Sequence, residues 1–152
     1  MKQTKITQDV NKTFVKKISN DFVWYIVDAK EKNLGRLSSQ IAHILRGKNT
    51  KEFSPCQTSN KQIIIINSKY INVTGKKSKQ KTYKKHSGRP GSLKTETFHK
   101  LQDRIPNRII EHAVKGMLPK NSLGRKLFKN LRVYAENKHP HEAQQPIELN
   151  IK

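Results

Sequence analysis

Hydrophobic residues change their period along this chain, and each change marks an element. Phe22-Val23-Trp24-Tyr25-Ile26-Val27 is β-branched and aromatic without clean alternation, which predicts a strand covered on both faces. After a polar turn over residues 28–33, apolar residues recur at Leu34, Leu37, Ile41, Ile44 and Leu45. That three-to-four spacing is the signature of an amphipathic helix. Asn33 is placed to cap its start, and Gly47 to end it in the left-handed region that glycine tolerates. Residues 62–67, centred on four isoleucines, predict a second buried strand. Strand, helix, strand implies two parallel strands joined by a right-handed crossover, and so an α/β fold.

The later half is more polar. Residues 70–74 read as a short extended segment ending at Gly75, residues 76–85 as an extended lysine-rich run, and residues 87–92 as a loop. Phe98, Leu101 and Ile105 form a helical stripe for which Thr95 is the expected cap. Pro106 suits the first turn of a helix carrying Ile109, Ile110, Ala113 and Val114, which Gly116 and Pro119 end. Ser122 is the expected cap of a third helix with Leu123, Leu127 and Phe128 inward, and residues 131–135 return as a strand. From Glu136 onward, with Pro140 and Pro146, the chain is expected to be extended and irregular. There is no internal repeat and no linker, so one domain is expected over residues 22–147, preceded by a basic arm, 1–21, and followed by a tail, 148–152.

Charge narrows what such a domain is for. Lys and Arg number 32 against 11 acids in 152 residues, a formal net charge of +21. Self-repulsion of that size opposes compaction, and a polyanionic partner relieves it. A membrane is disfavoured, since the longest clearly apolar run is Ile63 to Ile66, far too short to span. The arm lacks the continuous apolar stretch of a secretory signal. The lone cysteine, Cys56, excludes an internal disulfide and fits a reducing compartment.

The constellations that catalysis needs fail one at a time. Gly75-Lys76-Lys77-Ser78 resembles the end of a phosphate-binding loop, but Tyr70 stands where a glycine is required and Lys77 where Ser or Thr is. His139-Pro140-His141 has no second ligand pair at metal-binding spacing. The acids are dispersed. No catalytic residue, metal, cofactor or small-molecule substrate is therefore expected. For RNA the parts are present: lysines as mobile point charges, and Arg36, Arg46, Arg89, Arg125 and Arg132 as two-donor phosphate ligands. No helix-turn-helix, zinc finger or basic zipper favours DNA, and basic clusters on loops suit an irregular RNA read by shape. Gly88-x-x-Gly91 is only weakly similar to the clamp loop of KH domains, because it follows an extended run and does not join two helices.

Several ordered blocks carry a family resemblance. Trp24-Tyr25-Ile26-Val27-Asp28-Ala29, Leu34-Gly35-Arg36-Leu37 and Leu45-Arg46-Gly47-Lys48 come first. Ala113-Val114-Lys115-Gly116-Met117-Leu118-Pro119-Lys120-Asn121, Leu123-Gly124-Arg125 and His139-Pro140-His141-Glu142-Ala143-Gln144-Gln145-Pro146 follow. Together, over residues 22–147, they resemble the large-subunit ribosomal protein thirteen family of bacterial and plastid type. The resemblance implies a small, mostly parallel sheet flanked by helices in a three-layer α/β/α arrangement, with basic loops and irregular arms. It implies a structural role in the large ribosomal subunit, a monomer bound early in assembly to large-subunit ribosomal RNA beside neighbouring ribosomal proteins. By position, the RNA-facing candidates after the first helix are Lys48 and Lys51, with Arg36 and Arg46 upon it. A second set is Lys76, Lys77, Lys79, Lys81, Lys84, Lys85, His86 and Arg89. The third is Lys115, Lys120, Arg125, Lys126 and Lys129, followed by His139 and His141. The Gly116 to Pro119 block reads equally as RNA contact or as a helix end. The family commonly has His where Cys56 stands, Gly-Asp where Ser59-Asn60 stands, and Gly where Glu136 stands. A lysine-rich, isoleucine-rich composition suits an AT-rich genome and places the ribosome in a plastid, or else in a bacterial cytoplasm. Two other functions compete: a free messenger-RNA-binding regulator, also conceivable as a secondary role, and a small nucleotide-dependent enzyme.

Overall fold

The computed structural model describes residues 22–51 and 53–151; the basic arm expected over residues 1–21 lies outside them. The elements are β1 (Val23–Asp28), α1 (Leu34–Arg46), β2 (Lys61–Ile66), α2 (Lys77–Gln80), β3 (Thr82–Lys85) and β4 (Lys94–Thr97). They continue with α3 (Phe98–Arg104), α4 (Asn107–Met117), α5 (Ser122–Phe128), β5 (Leu131–Val133) and β6 (Ile147–Glu148). Single 3-10 turns occupy Ser68–Tyr70 and Glu142–Gln144.

Four strands form a sheet in the order β5-β2-β1-β6, and every neighbouring pair in it is parallel. The fold is α/β with a parallel sheet, as the β1-α1-β2 pattern predicts. β2 is buried at all six positions, because parallel strands at the centre of a sheet are covered above and below. Alternate residues divide the two faces. Val27, Ile63, Ile65 and Val133 pack in one cluster with Leu37, Ile41 and Leu45 of α1, Ile109, Ile110 and Val114 of α4, and Leu127 of α5. Phe98 and Leu101 of α3 belong to the same cluster, so α1, α3, α4 and α5 all bury residues with it. Ile64 is equally buried but stands outside that cluster, on the second face. There the outer layer is the segment that runs from β5 back across the sheet to β6.

That arrangement corrects the expectation for β1. Only Val27 of the strand is fully buried; Trp24, Tyr25 and Ile26 are half-buried and Val23 is exposed. The chain also stays engaged beyond residue 147. Glu148 is in β6, Ile151 belongs to the core, and Lys32 Nζ donates to the Ile151 carbonyl at 2.8 Å.

Local signals were met in part. Gly47 ends α1 with φ 81°, its N–H donating to the carbonyl of Ile44. Asn33 occupies the N-cap position of α1 but makes no side-chain cap bond. It instead bridges Asn72 as an isolated parallel pair, and the Leu34 N–H donates to the Asn72 carbonyl. The α5 cap is Asn121 and not Ser122: its Oδ1 accepts from the Gly124 N–H at 2.9 Å. Thr95 lies inside β4, and α3 starts after Thr97. Of the segment expected to be extended over residues 70–74, Tyr70 is not: it closes a 3-10 turn, and extended backbone begins at Ile71. The lysine-rich run is not one extended segment either: it folds as the turn of α2 and then β3, which pairs antiparallel with β4. The segment after Glu136 carries its own 3-10 turn.

Candidate nucleic-acid interface

The first helix ends beside a loop that it holds in place. Arg46 Nη2 donates to the Pro55 carbonyl at 2.5 Å, and its guanidinium lies 5.5 Å from the Phe53 ring centroid. Ser59 Oγ donates to the Leu45 carbonyl, and Lys61 Nζ to Asn49 Oδ1. Burial lowers the Lys61 pKa, since a charged ammonium loses hydration there. These contacts leave Lys48 and Lys51 as the exposed cations of the loop. Arg46, placed with them by sequence, has its guanidinium tied to its own chain.

Two shallow grooves meet at Met117, the last residue of α4. One is lined by Arg36 and Leu34 of α1, Lys77 and Lys81 of the lysine-rich segment, and Ala113 and Met117 of α4. The other is lined by His43 and Arg46 of α1, Lys48, Met117 and Pro119. The fold thus brings together residues widely separated in sequence: Arg36, Lys77 and Lys81 on one side of Met117, Lys48 on the other. Sequence reasoning missed His43. It sits seven residues beyond Arg36 on the solvent face of α1, a position the helical period makes visible. The Gly116 to Pro119 block is in fact a helix end, with the Leu118 N–H donating to the Val114 carbonyl at 3.0 Å and Leu118 buried. Its Met117 is nonetheless 46% exposed between the grooves.

The second basic set is held on a platform. The β3–β4 hairpin is tied to α3 by the Phe98 N–H, which donates to the Lys81 carbonyl at 2.8 Å. Arg104 donates from Nε and Nη2 to the two Glu96 carboxylate oxygens at 3.0 and 2.6 Å. Hydrogen bonding to Arg104 holds the Glu96 pKa below its ordinary value, and the same contact raises that of Arg104. Lys76, Lys77, Lys79, Lys81, Lys84 and Lys85 are all exposed, and Lys81 Nζ lies 5.4 Å from the Tyr83 ring centroid. His86 and Arg89 are in the exposed loop, where His86 Nδ1 accepts from the Gly88 N–H at 2.9 Å. Gly88 and Gly91 take φ of 96° and 72°, values that favour glycine. This loop joins two strands, unlike the clamp loop it was compared with.

The third set is carried by α4, α5 and the turn between them. Lys115, Lys120, Arg125, Lys126 and Lys129 are exposed, and Lys115 Nζ lies 5.9 Å from the Phe128 ring centroid. The turn is tight because the Pro119 carbonyl abuts α5 at Gly124, where a Cβ would come within 1.8 Å of that oxygen.

His139 and His141 are placed apart from these sets, on the second face of the sheet. His141 Nε2 lies 2.8 Å from the Tyr134 hydroxyl, and its ring lies 5.2 Å from that of Trp24. Its N–H donates to His139 Nδ1 at 3.2 Å. Arg132, named by sequence as a phosphate ligand, stands 5.3 Å over Trp24 and donates to Gln62 Oε1 at 2.9 Å. Burial, then the charge of Arg132, lowers the His141 pKa. These residues fasten the C-terminal segment across the sheet. The Glu136 side chain is exposed nearby, and its carbonyl accepts from the Asn67 N–H at 3.2 Å.

Among the described residues no group of three or more His, Cys, Asp or Glu could hold a metal ion, and no helix is long and apolar enough to cross a membrane. What the described residues do present is exposed ammonium and guanidinium groups, in three sets.

Known proteins agree with the sequence blocks. The chain is 62% identical over 128 residues to the large ribosomal subunit protein uL13 of Nostoc sp., covering 84% of this chain and 85% of that one. It is 57% identical over 137 residues to uL13c of Gracilaria tenuistipitata var. liui, covering 90% and 96%. It is 55% identical over 143 residues to uL13 of Acaryochloris marina, covering 93% and 95%. Residues 23–140 match the family described as Ribosomal protein L13. This chain therefore belongs to the ribosomal protein L13 family.

Proposed function

We propose that the chain is a structural, non-catalytic component of the large ribosomal subunit, binding and organising large-subunit ribosomal RNA early in assembly. Its ribosome is that of a plastid or a bacterium, as the uL13 relatives from cyanobacteria and the uL13c of Gracilaria suggest. The observation that carries the reading is the placement of charge. Exposed lysines and arginines crowd α2, the hairpin, the loop after α1 and the α4–α5 turn, while the apolar residues close one core. Cations on such a surface neutralise phosphates and release counterions, so six to ten contacts would cost about a thousandfold or more in affinity between roughly 50 and 200 mM salt on the duplex-DNA scale.

Sedimentation of ribosomal particles over a salt series tests this. The chain is expected with the large subunit at low salt, and after a pulse label it should enter precursor particles before mature ones. Recovery only in the free pool at every salt concentration would overturn the reading.

A further inference from the structure

On the hairpin, Tyr83 pairs with Glu96 and Lys85 with Lys94 in antiparallel register. Residues two apart share a face, so these four side chains lie on one side of the hairpin. That side walls a pocket of about 480 Å³ whose other wall is α3 and α4, including Leu101, Arg108 and His112. Like charges directly opposed across a ladder repel each other. Lys85 and Lys94 are such a pair, and the one carboxylate lining the pocket, Glu96, is taken up by Arg104. Arg108 adds a further cation to the same wall. Tyr83 supplies an aromatic surface, its ring meeting His112 edge-to-face at 5.4 Å. Its hydroxyl is shielded from solvent without a hydrogen-bond partner among the described residues. Opposed lysines, a neutralised acid and an aromatic wall together suit an anion that carries a flat ring.

We propose that this pocket seats one unstacked nucleotide of the bound RNA, its phosphate between Lys85 and Lys94 and its base against Tyr83 and His112. The proposal rests on the RNA-binding reading above and adds Tyr83, Lys94, Arg108 and His112 to the interface. Unpaired RNA is the form in which bases are free to stack on aromatic side chains, whereas a paired helix offers only its backbone and groove.

Thermal unfolding of the full chain at constant ionic strength tests it, since a ligand that binds only the folded state raises the midpoint. The probes are inorganic phosphate, 5′-adenosine monophosphate, a single-stranded hexauridine oligonucleotide, and an RNA duplex of matched phosphate count. The mononucleotide and the hexamer are expected to raise the midpoint more than phosphate or duplex does. Lys94→Ala should abolish that difference and melt above the parent chain without ligand, because the opposed charges are gone. Lys30→Ala, an exposed lysine in the turn between β1 and α1 and outside the pocket, should keep the parent's response. Equal shifts from phosphate and mononucleotide, or equal losses in the two variants, would overturn the nucleotide seat. Binding to large-subunit RNA separates the two readings. If the parent chain does not bind that RNA, the functional reading fails. If it binds and Lys94→Ala and Arg108→Ala bind with unchanged affinity and salt slope, the nucleotide seat alone fails.

Discussion

β2 and β3 are both strands, yet they are stable for opposite reasons. β2 lies between two parallel neighbours with all six residues buried, and its isoleucines pack from both sides. β3 has one neighbour, three exposed residues of its four, and only Tyr83 half-buried against the domain. Removing apolar surface from water holds the first. Ladder hydrogen bonds, the Phe98–Lys81 link and the Glu96–Arg104 pair hold the second. One region supplies stability and carries charge only at Lys61, where the strand begins beside Asn49. The other displays charge and packs against α3 and α4.

Variants that separate stability from binding break or sharpen this contrast. Ile65→Ala removes a fully buried side chain from the centre of the sheet and should cost about 2–5 kcal/mol. Denaturant titration reads it directly, and an unshifted midpoint would mean that β2 does not anchor the fold. Gly124→Ala forces a methyl group against the Pro119 carbonyl and should cost about 1–3 kcal/mol through overpacking. If calorimetry shows it neutral, the α4–α5 turn is looser than its geometry.

A smaller effect concerns the second face. His141 is packed by Trp24 of β1, Tyr134 and Arg132 from the β5 strand and its continuation, and by His139. Its folded pKa is lowered, so the unfolded chain takes up the proton first. The corresponding stability is present above the ordinary value of 6.5 and is lost as pH falls through the lower folded value. His141→Gln should flatten the stability profile below pH 6.5, measured as the difference from the parent across a pH series. Superimposable profiles would remove His141 from the fastening.

At the low end of the stability scale, replacing Lys81, Lys84 and Lys85 together by Ala should leave the melting midpoint within the range of ordinary surface changes. The same variant should flatten the salt slope of RNA binding by about one unit per lost phosphate contact. A large loss of stability with an unchanged slope would invert the contrast between β2 and β3.

The elements that were readable in the sequence are those that burial built. Leu34, Leu37, Ile41 and Leu45 recur at helical spacing because one face of α1 meets the core, and Ile63 to Ile66 run together because both faces of β2 are covered. The β3–β4 hairpin left no such trace: its exposed residues need no apolar alternation, and lysines at 84, 85 and 94 conceal the strands. The caps were ambiguous for a local reason. Asn121 and Ser122 are adjacent and both can accept a backbone N–H, so only the course of the chain chose Asn121.

The sequence alone determined a basic, single-core α/β chain, because net charge and hydrophobic period need no coordinates. Tertiary structure decided which cations face outward together. It turned Arg46 onto the 50s loop and Arg132 onto Trp24, and it set His139 and His141 across the sheet from the lysine-rich segment. It also opposed Lys85 to Lys94 across a ladder. Those placements depend on register and on which face of the sheet each crossover covers. Both are settled by packing between residues distant in sequence, which no local pattern records.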